Sequence, residues 1–208
     1  MILIEPYYNC EYCSNFYKDF NKKFNDINSE IRITYIGAIS PIRMPINDIL
    51  KELNKLSYKG IKILFRLYSN RIIPNKVVLQ DINFKRENLE ILLIPKKLSK
   101  VEKHEILLDS HIFLFTPKGR VTMDPSISLL EAVYHLAIPI VSCNLSGSEY
   151  LPYINVVRNT TQIASRIMFI RSLLMENKYS FDKLLNNFSR FYDRSRFLSQ
   201  AKRLKEIA

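Results

Sequence analysis

Short apolar segments alternate with longer amphipathic segments along most of this chain of 208 residues. The apolar segments have the length of buried strands, and the segments between them carry apolar residues at helical spacing. Because a parallel crossover needs a covering helix, this alternation predicts a parallel, doubly wound α/β sheet. Residues 69–88 are predicted to be weakly structured. The predicted strands are 31–36, 61–67, 89–94, 111–115, 138–142 and 154–157, and the predicted helices are 45–57, 99–108, 125–137, 160–175 and 181–205.

The composition is that of a globular protein, with 47% hydrophobic and 25% charged residues. No apolar run reaches the ~18 residues that a membrane-spanning helix needs, and the first residues lack the pattern of a signal peptide. Three cysteines leave one without a pair, which favours a reducing compartment and predicts a cytoplasmic protein. Cys10 and Cys13 form half of a zinc site at most, and free thiols are the favoured interpretation.

The formal net charge of +11 attracts phosphate groups in any form, whether they belong to nucleotides, nucleic acids or lipid headgroups. Residues 182–206 combine basic side chains with an apolar stripe at helical spacing. Two interpretations of this segment are open. The favoured one is a terminal helix that packs on the domain with a solvated basic face, and the other is peripheral contact with an anionic membrane, at the inner membrane face.

The loops at one edge of the predicted sheet form the candidate site. Ligands of doubly wound sheets bind outside the carboxyl ends of the strands. The loops in question follow Ile36, Leu67, Ile94, Phe115 and Val141. Two of them carry residues that suit an anionic ligand.

The first of these is segment 121–147, where a polar loop runs into a helix. Asp124 can cap the helix, and Pro125 suits its first turn, which does not need a backbone N–H there. The N–H groups of residues 126–128 would then point out of the helix start and form an anion site suited to a diphosphate. Glu131 lies nearly two turns further along the same helix.

The loop after the first strand carries the second signal, Gly37 and Arg43. A glycine that ends a strand lets the backbone approach a ligand closely. Arg43 can reach the same anion and pair with two of its oxygens. Taken alone, the pattern also fits an ordinary βα turn with an exposed arginine, but its position relative to Glu131 favours a phosphate site.

These two segments together resemble the donor-binding signature of GT-B glycosyltransferases, most closely the family-four type that uses nucleotide-diphosphate sugars. The resemblance covers residues 31–205, which match the carboxyl-terminal, nucleotide-binding half of such an enzyme, a Rossmann-like domain. The loop at Thr116 and Pro117 also matches the family's loop before the glutamate helix. In segment 121–147 the matching positions are Pro125, Glu131, Ala132, Pro139, Ile140 and Val141.

The resemblance implies a role for each residue of the site. Glu131 would hold the ribose hydroxyls, and Arg43 would pair with the diphosphate from the position of a family lysine. Ile94 and Pro95 fall at the nucleobase contact. Met123 takes the place of a second acid that contacts the sugar, with Asp124 beside it. The implied catalytic residues are Arg43 and Glu131, and the implied substrate-binding residues are Gly37, Ser40, Ile94, Pro95, Met123, Asp124, Ser126, Ser128 and Glu131.

One phosphate-binding cation of the family is missing from its usual place. Ala38 stands where the family has an arginine directly after the glycine. A second cation would have to come from Arg66, Arg71 or Lys118, which lie near the predicted strand ends.

The implied activity is transfer of a sugar from a nucleotide-diphosphate sugar to an acceptor, with retention at the anomeric carbon and with no cofactor or required metal. Residues 31–208 would form the nucleotide-sugar domain, and residues 1–30 resemble the interdomain linker of such an enzyme. The acceptor-binding half has no counterpart in the sequence. The chain would therefore be a lone half, a subunit of a split enzyme or an excised piece, and incomplete as a hexosyltransferase without that half.

A non-enzymatic function is the alternative, namely a Rossmann-like binding module that uses its basic face for nucleic acid or for a protein partner. The glycosyltransferase interpretation, in which nucleic acid is not an expected partner, requires Glu131, Arg43 and Ser126 to meet at one edge of the sheet. The binding module requires a continuous basic surface away from that edge.

Overall fold

The computed structural model describes residues 22–40, 42–70, 84–119, 127–145, 148, 151–181 and 183–184. In this part of the chain, helices and strands alternate as predicted. The strands are β1 (Ile31–Ile36), β2 (Ile63–Tyr68), β3 (Phe84–Arg86), β4 (Leu89–Ile94), β5 (Ile112–Phe115), β6 (Ile138–Ser142) and β7 (Val156–Val157). The helices are α1 (Ile46–Ser57), α2 (Lys100–Leu108), α3 (Ile127–Tyr134) and α4 (Ile163–Met175), with 3₁₀ turns at Tyr153–Asn155 and Thr160–Gln162.

The strands form one sheet in the order β3-β4-β2-β1-β5-β6-β7. All neighbouring pairs are parallel except β3 and β4. The chain moves outward from β1 to β2 and β4, then returns to the other side of β1 with β5. The predicted doubly wound α/β fold is confirmed, and its switch point lies between β1 and β5, where ligands of such sheets bind.

Buried apolar side chains line one face of the sheet across three neighbouring strands. Ile33, Phe65 and Ile91 occupy corresponding positions on β1, β2 and β4, and are almost completely buried. Helix α1 adds Ile49 and Leu53, which are fully buried. This stripe forms because the apolar residues of α1 recur every three or four positions, as the sequence predicted.

The structure corrects two sequence predictions. Residues 69–88 are not weakly structured throughout, because Phe84–Arg86 forms β3, antiparallel to β4, with Lys85 opposite Glu90. Three residues are too few to show a strand pattern in the sequence. The described helix α3 ends at Tyr134 rather than at residue 137, since Leu136 adopts a left-handed conformation with a φ of 62°.

The two ends of the described chain pack on the domain. Phe24 and Ile27, in the segment predicted to resemble a linker, are buried in the core. At the other end Phe181 and Leu184 are buried as well, and these are the first two apolar positions of the predicted basic helix. The rest of that helix lies outside the described residues. Among those that are described, no helix is both long and apolar enough to cross a bilayer.

Candidate functional site

The loop after β1 is shaped by close contact between Gly37 and Tyr35. The N–H of Gly37 donates to the carbonyl oxygen of Tyr68 on β2, at 3.0 Å. A Cβ atom on Gly37 would lie 2.9 Å from the hydroxyl oxygen of the buried Tyr35 side chain. That hydroxyl donates to the carbonyl oxygen of Ala38, at 2.7 Å. A side chain at this position would press against Tyr35, so the structure explains the glycine by this contact, and the predicted close approach to a ligand stays a prediction.

Arg43 is exposed on the same loop. Its backbone N–H donates to the Oγ atom of Ser40 at 3.1 Å, which tightens the turn. Burial raises the pKa of Tyr35, and the positive charge of Arg43 partly offsets this effect. Within the described residues the guanidinium has no ion-pair partner, and it is therefore available to an anion.

The loop after β5 is fastened to the loop after β1. The N–H of Lys118 donates to the carbonyl oxygen of Ile42 at 2.8 Å. A Cβ atom on Gly119 would lie 2.9 Å from the Ile42 side chain, so the two loops touch closely. On the far side, the Nδ2 atom of Asn144 donates to the carbonyl oxygen of Lys118 at 3.0 Å. These bonds join the loops that follow β1, β5 and β6 at the carboxyl edge.

The three cations named as possible second phosphate ligands have different environments. The ammonium of Lys118 lies 2.6 Å from a carboxylate oxygen of Asp48, in the first turn of α1. Arg66 lies in the middle of β2, and its guanidinium pairs at 2.6 Å with Asp109, which precedes β5. It therefore points toward the amino edge, away from the candidate site. Arg71 lies outside the described residues.

Glu131 on α3 forms an ion pair with Lys103 near the start of α2. The Nζ atom lies 3.1 Å from one carboxylate oxygen and 3.4 Å from the other. Both side chains are 27% exposed, which leaves the carboxylate accessible. Sequence reasoning missed Lys103. The signal was present, because a helix that follows β4 begins at the carboxyl edge and places its first residues there.

His135 follows Glu131 by one turn and joins α3 to α2. Its Nε2 atom lies 2.6 Å from the Nδ1 atom of His104, and its Nδ1–H donates at 2.5 Å to the carbonyl oxygen of Glu131. Burial lowers the pKa of His135. The ring thus packs between helices and contacts the backbone of Glu131 rather than its carboxylate.

The remaining predicted residues are only partly described. Ile94 is half-buried at the end of β4, its carbonyl oxygen accepts from the N–H of Ser69, and Pro95 beside it is exposed. Ser128 lies in the first turn of α3. Met123, Asp124 and Ser126 lie outside the described residues, as do Cys10 and Cys13.

Among the predicted residues that the structure describes, those of the glycine loop lie together and Glu131 is held apart from them. Gly37, Ser40 and Arg43 share one loop at the carboxyl edge, next to Lys118. Glu131 is held separately by Lys103, and among the described residues no hydrogen bond or ion pair connects it to Arg43. Within the same part of the chain, no cluster of His, Cys, Asp and Glu side chains could hold a metal ion.

Comparison with known proteins gave matches in structure alone. No family model matches the chain, and no curated protein does. It is similar to a UDP-forming α,α-trehalose-phosphate synthase from Burkholderia xenovorans, with 13% identity, a TM-score of 0.60, and coverage of 88% of this chain and 48% of that one. It is also similar to the catalytic domain of cholesterol-α-glucosyltransferase from Helicobacter pylori, with 15% identity, a TM-score of 0.51, and coverage of 76% and 99%.

A third similar structure is a trehalose-6-phosphate synthase studied for glycosyltransfer with retention. Its identity is 13%, its TM-score is 0.53, and coverage is 89% of this chain and 50% of that one. At these identities the similarity shows the fold, which is the α/β, Rossmann-like domain of GT-B glycosyltransferases. The chain spans about half the length of the trehalose-phosphate synthases that it matches.

Proposed function

We propose that this chain is the donor-binding half of a glycosyltransferase of the family-four GT-B type, and that it binds a nucleotide-diphosphate sugar. One observation carries the proposal. The glycine loop with Arg43 and the helix with Glu131 follow β1 and β5, the two strands on either side of the switch point, in a sheet like that of glycosyltransferases.

The proposed roles follow from charge and exposure. Arg43 is an exposed guanidinium without an ion-pair partner in the described part, and it suits two oxygens of a diphosphate. Glu131 has a partly exposed carboxylate that is held from one side by Lys103. A carboxylate accepts several hydrogen bonds, so its remaining lone pairs can accept from the two hydroxyls of a ribose.

The proposed reaction uses these groups to stabilise the leaving diphosphate. The bond between the anomeric carbon and the diphosphate oxygen breaks, and an acceptor oxygen bonds to that carbon. The acceptor proton is released with the nucleoside diphosphate. Negative charge develops on the leaving group as its bond breaks, and fixed cations such as Arg43 stabilise it there. Retention of configuration without a required metal is part of the proposal.

The acceptor side is proposed to come from a second half, because the chain spans about half of the synthases that it resembles. That half belongs either to the same enzyme or to a separate subunit. We expect the chain to bind donor, and to transfer sugar slowly or not at all until the second half is added. Efficient transfer by the chain alone to any acceptor would contradict this part of the proposal.

The deciding experiment is calorimetric titration of the full chain with UDP, GDP and ADP, followed by variants with the tightest ligand. Glu131→Gln should weaken binding by about 1.5–3 kcal/mol, the scale of a charge-assisted hydrogen bond. Glu30→Gln is a matched control, since Glu30 also pairs with a lysine, at 2.9 Å, but at the amino edge of the sheet. Arg43→Ala should weaken diphosphate binding and spare the free nucleoside.

Two results would overturn the proposal. One is the absence of binding for all three nucleotides. The other is an equal effect of Glu131→Gln and Glu30→Gln, which would remove Glu131 from the site.

A further inference from the structure

We infer that Lys118 is the second phosphate-binding cation of this site, and that Asp48 holds its ammonium until a diphosphate displaces the carboxylate. The inference rests on the proposed function, because it assigns a residue to the same donor site. The resemblance implies an arginine where Ala38 stands, and Arg43 is the single cation of the loop between β1 and α1.

The backbone places Lys118 beside Arg43. Its N–H is bonded to the carbonyl oxygen of Ile42, the residue that immediately precedes Arg43. Gly119 eases this approach, because a Cβ atom there would lie 2.9 Å from the Ile42 side chain. Asn144 holds the Lys118 carbonyl from the opposite side. The loop that carries Lys118 is thus fixed on both sides, so its side chain starts from a defined point at the switch between β1 and β5.

The ammonium of Lys118 is accessible, and a single ion pair within the described residues holds it. Its side chain is 57% exposed, and its one ion-pair partner in the described part is Asp48. An ion pair this exposed contributes about 0–1 kcal/mol, so a diphosphate with two or more negative charges can replace it. Arg66, by contrast, is mostly buried and tied to Asp109.

Asp48 is suited to release the lysine. It lies in the first turn of α1, where the helix dipole stabilises a negative charge. Its carboxylate therefore keeps a favourable environment after Lys118 turns toward a ligand. Before binding, it neutralises Lys118 and orients it next to the glycine loop. Arg43 and Lys118 would then contact the diphosphate from two separate loops, which favours a diphosphate over a monophosphate or a free nucleoside.

The test compares Lys118→Met with Lys62→Met by calorimetry, using UDP, UMP and uridine, or the corresponding series of the base that binds best. Lys62 is a matched control because its side chain is 59% exposed and pairs with Glu30, but at the amino edge. Lys118→Met should weaken UDP binding about tenfold and leave uridine unchanged. Lys118→Arg should keep most of the affinity, since it keeps the charge. Equal effects of Lys118→Met and Lys62→Met would overturn the inference.

Asp48→Asn tests whether Asp48 holds the Lys118 ammonium until a diphosphate binds. Removing the competing carboxylate should strengthen UDP binding a few-fold in the parent chain. The gain in UDP affinity should be smaller in the Lys118→Met background, because Asp48 then has no ammonium to release. A gain of the same size in both backgrounds would show that Asp48 acts through its own charge alone. It would overturn the inference that Asp48 holds Lys118 before a diphosphate binds.

The inference and the proposed function can fail separately. If the parent binds none of the nucleoside diphosphates, both are wrong. If the parent binds UDP and Glu131→Gln weakens it, while Lys118→Met matches its control, the donor site stands and Lys118 has no part in it.

Discussion

Lys103 reaches across from α2 to α3 and bridges both carboxylate oxygens of Glu131, at 3.1 and 3.4 Å. The pair joins the two helices that follow β4 and β5. A single lysine thus sets the orientation of the carboxylate that we assign to the ribose.

The first prediction concerns this orientation. Lys103→Met should weaken nucleoside binding about threefold, because the carboxylate loses the contact that orders it, and partly exposed pairs contribute at most about 1 kcal/mol. Lys103→Arg should restore most of the affinity. Lys96→Met is the control, since Lys96 pairs with Glu102, which lies on the same helix as Lys103. Calorimetry with the free nucleoside isolates the effect from phosphate binding, and unchanged affinity in Lys103→Met would contradict the assigned role.

The second prediction concerns Lys23, which joins the carboxyl ends of two helices. Its ammonium donates to the carbonyl oxygen of Leu107 at 2.9 Å and to that of His135 at 2.7 Å. Helix ends present carbonyl groups without intrahelical partners and carry partial negative charge. Burial lowers the pKa of Lys23 to about 7, so the ammonium is charged below that pH. Lys23→Met should therefore lower the free energy of unfolding by about 1–3 kcal/mol, measured by urea denaturation at pH 6.

Lys22→Met is the control for this measurement, because Lys22 is exposed one position earlier. It should change the free energy of unfolding by less than about 0.5 kcal/mol. If the two variants are equally stable, the bridge between the helix ends does not stabilise the fold.

The third prediction concerns acid stability and His111. This imidazole is buried at the amino edge, where its Nε2 atom lies 3.0 Å from a carboxylate oxygen of Asp26. Burial, joined by the charge of Arg32, lowers the pKa of His111 to about 4. As the pH falls through about 6.5, His111 takes up a proton in the unfolded chain but stays neutral in the folded chain. The contribution of His111 to the free energy of unfolding should be fully present above that pH, and up to about 3 kcal/mol of it should be lost as the pH drops to 4.

Urea denaturation at intervals between pH 4 and pH 7 measures this slope. His111→Gln should flatten it, whatever the variant does to overall stability. Part of the slope should remain, because burial also lowers the pKa of His135. If the free energy of unfolding of His111→Gln depends on pH as steeply as that of the parent, the loss of stability in acid comes from other groups.

The sequence predicted most strands of the sheet, but it did not predict β3 or the end of α3. Strands such as Ile63–Tyr68 and Ile138–Ser142 are buried, so their apolar runs are visible without any knowledge of their neighbours. Strand β3 has three residues and depends on pairing with β4, which a local pattern does not contain. The end of α3 depends on the left-handed conformation of Leu136, a residue type that does not usually adopt it.

The same distinction applies to the site. Gly37 and Arg43 are close in sequence, so their spacing on one loop could be predicted. The pair of Lys103 with Glu131 and the bond of Lys118 to Ile42 join residues far apart in the chain. Such contacts follow from how helices and loops pack, and periodicity carries no information about them.

The last prediction concerns the close contact in the glycine loop. Gly37→Ala places a Cβ atom 2.9 Å from the hydroxyl oxygen and 3.1 Å from the ring carbon of Tyr35, whose side chain is buried and cannot move away cheaply. The variant should lower the free energy of unfolding by about 1–3 kcal/mol, the scale of overpacking. It should also weaken diphosphate binding, because the loop that carries Arg43 has to shift. Tyr35→Phe removes the nearer of the two contacts, so Gly37→Ala should cost less in that background. A double-mutant cycle by urea denaturation measures the difference, and additive effects would show that the glycine is needed for another reason.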